Sequence, residues 1–316
     1  MRILAASAKQ FRSRTVAVAR MHRVLLSSPH IASYPALLVL ALISGWWLAR
    51  LQAKSSGIEP RHIDNLALLV AVTSLIGARL FSWLFYFPPG FPFWQAMTMT
   101  GGGLVFYGGL IFGILCVVVY SLGTRLQLRD LLDVVSAPLA LGLAIGRVGC
   151  FMAGCCWGDV CVSPEQVRLL DPQVQSQIQT LPALSVHFPL AVTFPIETGA
   201  YEQHQQLGLI GKHADRSLPV HPVQLYEAAL ALLLALVLYR KFKSRERPGE
   251  IAARLVFGYA LIRFATEFFR ADNQPAYWGM TLSQVISIAL AVLCFLLLHL
   301  RIKNAAPRVA PNRLRQ

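Results

Sequence analysis

The 316-residue sequence is poor in charge: 14% of its residues are Asp, Glu, Lys or Arg, against 55% hydrophobic. Soluble domains carry about 25% charged residues, so this chain lacks the polar surface that a water-soluble globule needs, and a soluble enzyme is excluded. Acidic residues are the scarcest, 15 against 29 Lys and Arg. No C-x-x-C and no paired C-x2-C spacing occurs among the six cysteines, which removes the usual sequence patterns of thiol-redox enzymes and zinc modules. Internal repeats and low-complexity tracts are also missing, and no compact apolar core with a small-residue cleavage site precedes residue 31. What is there is apolar: 17 Phe, 9 Tyr and 6 Trp, with branched aliphatics throughout, exclude a disordered or fibrous chain. A mean hydropathy of +0.53 points to a polytopic membrane protein, in which a net charge of +14 records loop orientation rather than nucleic-acid binding.

A helix crosses the hydrocarbon core with roughly 20 apolar residues. That rule predicts seven spans, near 32–51, 63–87, 104–122, 130–151, 222–240, 251–269 and 280–300, and hence an all-α membrane domain over 31–304. A basic extension (1–30) precedes it and a basic tail (305–316) follows. Seven spans sort the loops into two sets. One set holds Arg50, Lys54, Arg61, Arg125, Arg129, the group Arg240, Lys241, Lys243, Arg245 and Arg247, and the tail; the other holds only Arg168, Lys212, Arg216 and Arg270. By the positive-inside rule the C-terminus is cytoplasmic, and the long loop between spans four and five (152–220) is a small extracytoplasmic head. Within it the alternation near 184–188 and 191–196 predicts short strands, and His187, His204 and His213 are expected in solvent. His22, His30 and His62 flank spans and are expected at the interface. The first 30 residues run against this orientation, because their arginines fall on the outer side; an interfacial stretch or a start at Met21 would account for them.

A charge inside a bilayer costs on the order of 2.5–3.5 kcal/mol, so it marks a cavity or a function. In the sixth span Tyr259, Arg263, Glu267 and Arg270 fall within an arc of about 80° at helical spacing, one polar stripe on an apolar helix. A self-neutralising Arg263 and Glu267 pair is the plain alternative. The fourth span ends in GRVGCFMAGCCWG, with Arg147 between Gly146 and Gly149 and with Gly154 further on. A guanidinium fork there suits a phosphate, and two arginines on separate spans form a clamp for an anionic head group. The second span contributes Arg79, the third opens with Tyr107-Gly108-Gly109, and the fifth opens with HPVQLYE, bringing His221, Gln224 and Glu227 to one helix end behind Pro222.

Taken in order from Tyr34 to Leu300, these motifs resemble the prolipoprotein diacylglyceryl transferase family. The most specific are GRVGCFMAGCCWG, HPVQLYE and GYALIRFATEFFR, with YGGL and Gly77-Ala78-Arg79 in support. The resemblance implies a multi-pass protein of the bacterial inner membrane that moves the diacylglyceryl group of phosphatidylglycerol to the lipobox cysteine of a secreted prolipoprotein, with release of glycerol 1-phosphate. It implies membrane lipid and prolipoprotein signal peptides as partners, no nucleic acid, and no metal or other cofactor. Arg147 and Arg263 match the phosphate-facing arginines, Tyr34 and Tyr259 the site tyrosines, and Glu267 the buried acid. Arg79, Gly108, Gly109, Gly149, Gly154, His221, Gln224, Glu227 and Arg270 are expected around the substrate. This chain has Tyr107 where the family has a histidine, and Cys150 and Cys155 where its signature has asparagine and glutamate. Tyr107 therefore stands at the position of the proton acceptor.

Cys116 and Cys294 sit in apolar spans and are expected as small core residues. Cys150, Cys155, Cys156 and Cys161 crowd into a short stretch and are expected to form structural disulfides, which persist outside the cytoplasm. Two alternatives to the transferase follow: a thiol-redox protein built on that cluster, and a non-catalytic lipid-binding homologue that keeps only the clamp.

Overall fold

The computed structural model describes residues 24–27, 30–87, 90–97, 105–162, 172, 190–211, 213–271 and 278–303. Residues 1–23, 163–171, 173–189 and 304–316 lie outside it, and with them most of the basic extension, Arg168, His187, the predicted strand near 184–188 and the basic tail. Apart from one small ladder, β1 (Val24–Ser27) antiparallel to β2 (His30–Ala32), the described elements are helices. They are α1 (Ser33–Ser55), α2 (Pro60–Tyr86), α3 (Phe93–Met97), α4 (Phe106–Thr124), α5 (Leu128–Ala153), α6 (Gly199–Gln206), α7 (Val223–Phe242), α8 (Glu250–Glu267) and α9 (Leu282–Lys303).

Five of these, α1, α2, α5, α7 and the Tyr107–Thr124 stretch of α4, are long and apolar enough to cross a membrane. Large apolar side chains lie exposed along them, Leu38, Trp47, Leu68, Phe85, Leu115 and Leu233 among them, as lipid-facing residues do and as the surface of a soluble protein rarely does. This is a multi-pass membrane protein. Helix α8 coincides with the sixth expected span but carries Glu250, Arg254, Arg263 and Glu267, and α9 has a described apolar run over Leu282–Leu296.

The chain divides into two compact units: one takes residues 1–42, 140–234 and 256–303, the other 43–139, 235–255 and 304–316. In the second unit α2 and α4 meet through glycines. A Cβ on Gly77 would stand 2.5 Å from the Gly108 carbonyl oxygen, and one on Gly108 would stand 2.2 Å from that of Gly77. Backbone therefore touches backbone, the contact that small residues permit between membrane helices. Gly108, expected near substrate, is a helix-packing residue. Gly77→Val or Gly108→Val is expected to lower thermal stability in detergent by at least about 1–3 kcal/mol, the usual effect of overpacking; unchanged melting of both variants would refute the contact. The same unit anchors α8 with Asp133 of α5, which is fully buried and accepts hydrogen bonds from the amides of Gly249 (2.8 Å) and Ala252 (2.9 Å). A carboxylate on the amides of a helix N-terminus favours that helix start.

In the first unit, residues 154–162, 190–211 and 213–220 form a small packed region. Val160, Val162, Leu209 and Leu218 make one apolar cluster, and Val192, Phe194, Ala200 and Val220 another, with Phe151 and Trp157 against it. Of the strand expected near 191–196 there are isolated bridges, Val192 with Val220 and Pro195 with Arg216.

His204 corrects the expectation of a solvated head: it is 2% exposed, and its Nδ1 accepts the Leu218 amide at 3.2 Å. His213 is exposed, as expected, and His62 is bonded to the Tyr120 hydroxyl at 2.9 Å. Burial lowers the His204 pKa from 6.5 to about 4. The unfolded chain therefore takes up a proton that the folded chain refuses. The resulting stability is present above pH 6.5 and is lost as pH falls toward about 4, by a few kcal/mol. His204→Gln, which keeps an acceptor without a basic nitrogen, is expected to flatten the acid side of a melting-temperature profile; an unaltered slope would remove His204 as the cause.

Candidate active site

Three arginines and two glutamates from α5, α7, α8 and the turn after it converge in the first unit. Glu227, in the first turns of α7, is ion-paired with Arg147 Nε, with Arg263 Nη1 at 2.7 Å and with Arg270 Nη1 at 3.8 Å, and it accepts the Thr266 hydroxyl at 3.0 Å. Glu267 pairs with Arg263 Nη2 at 2.9 Å and Arg270 Nε at 3.9 Å, and accepts the Thr281 hydroxyl at 2.7 Å. Arg263 also donates to Ser283 Oγ at 3.3 Å, and Tyr259 lies within electrostatic reach of Arg147. The polar stripe of the sixth span is thus no self-contained pair: Arg263 bridges both carboxylates.

The exposures are unequal. The Glu227 and Glu267 side chains are 2% and 0% exposed, whereas those of Arg147 and Arg263 keep 18% and 17%. The carboxylates are closed off from solvent and hold the guanidiniums, and the arginine side chains keep part of their surface open. Among the described residues of this network, three guanidiniums face two carboxylates, a charge of +1 for the set. Buried ion networks contribute little net stability because of desolvation, so an unbalanced one is better explained by an anionic ligand than by folding.

The turn after α5 borders this cluster. Gly154 (φ +69°) reverses the chain where a Cβ would press 2.6 Å from Thr198 Cγ2. The Cys155 amide then bonds back to the Cys150 carbonyl at 3.1 Å, and Gln224 Nε2 holds the Cys155 carbonyl at 2.8 Å. Gly149 makes room for Tyr34: a Cβ there would stand 3.1 Å from its Cδ2. Tyr34 lies within electrostatic reach of Arg147, Cys150, Cys155 and Cys156. His221 contacts the Tyr226 hydroxyl through Nδ1 at 3.2 Å.

Of the expected site, Arg147, Glu227, Tyr259, Arg263, Glu267 and Arg270 form one network, and Tyr34, Gly149, Gly154, Gln224 and the cysteines border it. Arg79, Tyr107, Gly108 and Gly109 belong to the other unit, where Arg79 is buried, Tyr107 is exposed and Gly109 packs on the Ser74 carbonyl. No disulfide joins the cysteines of this run; Cys150, Cys155 and Cys156 group together, while Cys161 is buried with its amide on the Pro219 carbonyl at 2.8 Å. Sequence reasoning passed over Thr281 and Ser283, hydroxyls with no motif to flag them, and over Thr266, which lies within GYALIRFATEFFR. It also passed over Gly158, whose amide binds the His221 carbonyl at 3.0 Å and where a Cβ would meet that oxygen at 2.5 Å; its place at the end of the glycine-rich signature was the available signal.

A multi-pass membrane protein with a partly accessible, net-cationic arginine cluster is equipped to hold an anionic group beside lipid. The chain belongs to the prolipoprotein diacylglyceryl transferase family, whose model matches residues 23–300. Among similar proteins, the phosphatidylglycerol–prolipoprotein diacylglyceryl transferase of Proteus mirabilis is 26% identical over 275 residues, 82% of this chain and 84% of the relative. That of Agrobacterium fabrum is 29% identical over 81% of this chain and 82% of its own length. That of Photorhabdus laumondii is 26% identical over 87% and 90%.

Proposed function

We propose that this chain transfers the diacylglyceryl group of phosphatidylglycerol to the lipobox cysteine thiol of prolipoproteins, in the first step of lipoprotein maturation. The observation that carries this is the arginine cluster on the family's motifs. Its charge of +1 matches the single negative charge of a phosphodiester, and the Arg147 and Arg263 side chains stay partly exposed. In the reaction the acceptor thiol loses a proton and its sulfur attacks the glyceryl carbon bonded to the phosphate oxygen. The C–S bond forms as the C–O bond breaks, and the electron pair leaves on glycerol 1-phosphate. Donors fixed where that charge grows lower the barrier. Tyr259, close to Arg147, supports the clamp, and Gln224 Nε2 steadies the neighbouring turn through the Cys155 carbonyl at 2.8 Å.

The seven-span topology belongs to the same proposal. Helices α8 and α9 complete the set begun by the five apolar ones, the C-terminus lies in the cytoplasm and the 152–220 loop faces outward, supported by the lysines and arginines between α7 and α8. The purified protein, given phosphatidylglycerol and a lipobox peptide, is expected to yield a diacylglyceryl thioether by mass spectrometry together with free glycerol phosphate, and a Cys-to-Ser peptide is expected to yield neither. Stabilisation by the lipid without product would instead assign the chain to non-catalytic lipid binding.

A further inference from the structure

The turn that closes α5 brings three sulfurs together. The Sγ atoms of Cys150, Cys155 and Cys156 all lie within 4.8 Å of one another, and the three residues are partly exposed. Thiolates at about 2.3 Å from a tetrahedral zinc ion stand roughly 3.8 Å apart, so this spacing needs little adjustment. The turn is held in that form from several sides. Gly154 and Cys156 both have positive φ (+69° and +59°), Gln224 fixes the Cys155 carbonyl, and the Cys155 amide returns to Cys150. A non-glycine residue in the left-handed region costs roughly 1–2 kcal/mol, and such a conformation persists where the surroundings impose it. Here it turns the Cys156 sulfur back toward the other two.

We propose that Cys150, Cys155 and Cys156 bind a thiophilic divalent metal ion, zinc by the chemistry of the donor set, and that its remaining coordination position receives the acceptor thiol of the prolipoprotein. The idea rests on the transferase function proposed above and supplies what the arginine cluster does not: a way to deprotonate the acceptor. Both carboxylates of the cluster are committed to guanidiniums, whereas a thiol that coordinates zinc is deprotonated outright. Three protein ligands with one open position are the pattern of catalytic rather than structural zinc. The charges also agree. A divalent ion with three thiolates carries −1, so it sits without repulsion beside Arg147, which lies three residues before Cys150 on the same helix face of α5. Phosphate on the guanidiniums and thiolate on the metal would then be adjacent. The sulfur displaces the phosphate at the glyceryl carbon, the thiol proton passes to solvent on coordination, and the metal undergoes no redox change. The absence of C-x2-C spacing pointed away from a metal because spacing was read along the chain; the turn at Gly154 makes neighbours of residues five apart.

The test uses the full chain, purified in detergent with phosphatidylglycerol. Elemental analysis is expected to find one zinc per chain, and cobalt(II) in its place is expected to give thiolate-to-cobalt charge-transfer absorption. That band is expected to shift on addition of a cysteine lipobox peptide and to stay unchanged with the serine peptide. Cys150→Ser, Cys155→Ser and Cys156→Ser are each expected to lose the metal, while Cys116→Ser, in the apolar α4, keeps it. Should the site variants misfold, chelation of the wild-type protein and metal re-addition give the same information, and chelation is expected to slow transfer about a hundredfold or more, as loss of a base does. Cobalt uptake no greater in wild type than in a triple serine variant, an intact mass lower by two hydrogens from an internal disulfide, an unmoved band, or full-rate transfer by the chelated protein would each overturn the proposal. Metal binding and a peptide-dependent shift without product would leave the metal site standing and remove the transferase function.

Discussion

Arg263→Ala is expected to reduce thioether product by about a thousandfold, the upper range for losing one preorganised donor at developing charge. Arg263 joins both carboxylates, at 2.7 Å to Glu227 and 2.9 Å to Glu267, and its loss takes the cluster from a charge of +1 to zero. The variant loses the guanidinium that spans both carboxylates, and with it fixed donors where the second charge of glycerol 1-phosphate appears. The protein itself should survive, because Glu227 keeps Arg147 and the Thr266 hydroxyl, and Glu267 keeps Arg270 and the Thr281 hydroxyl. Arg263→Lys is the sharper variant. It restores the charge, but a single ammonium cannot reproduce the planar fork that bridges two carboxylates while donating to Ser283. Quantitative mass spectrometry of the peptide product, with size-exclusion profiles to confirm intact protein, measures both. Near-normal product from Arg263→Lys would mean that charge alone suffices and that the bridging geometry is incidental.

The lipid-facing helices were legible because hydropathy is a property of the sequence: α1, α2, α4, α5 and α7 fall where 20-residue apolar windows place them. Helix α8 was legible for the opposite reason. Charges in a membrane segment are costly, so the Tyr259, Arg263, Glu267 stripe that lowers its apolar character is also what marks it as part of the site. Contacts between helices were not legible. Glu227 looked like an acid in a first helical turn, complementary to the helix dipole, because its partners Arg147 and Arg263 lie 80 and 36 residues away. Gly108 read as part of a substrate motif, and its close backbone contact with Gly77 was not visible in the sequence. His204, polar in a Pro-rich loop, looked solvated until a folded apolar region surrounded it. The cysteines looked like disulfide partners because their compartment and number were visible and the left-handed turn at Gly154 and Cys156 was not.

Glu227→Gln is expected to be more damaging than Glu267→Gln, although the family resemblance singles out Glu267. Glu267 draws its two arginines from its own helix end, at i−4 and i+3, so its pairs do little to connect elements. Glu227 receives Arg147 from α5 and Arg263 and Arg270 from α8 and the turn beyond it, and so ties α7 to both. Removing one partner of a buried pair costs about 3–5 kcal/mol because the remaining charge is left without compensation. With Glu227 neutral, the cluster carries +2 and its guanidiniums repel one another. Glu227→Gln is therefore expected to lower the melting temperature markedly and to abolish product, whereas Glu267→Gln should retain the fold and lose activity only in part. A compensating pair separates the two effects. Adding Arg147→Gln to Glu227→Gln removes the excess charge and is expected to recover much of the lost stability, yet with the clamp dismantled no product should return. Equal melting of the two single variants would deny Glu227 its connecting role, and product from the double variant would show that transfer does not depend on the Arg147 guanidinium.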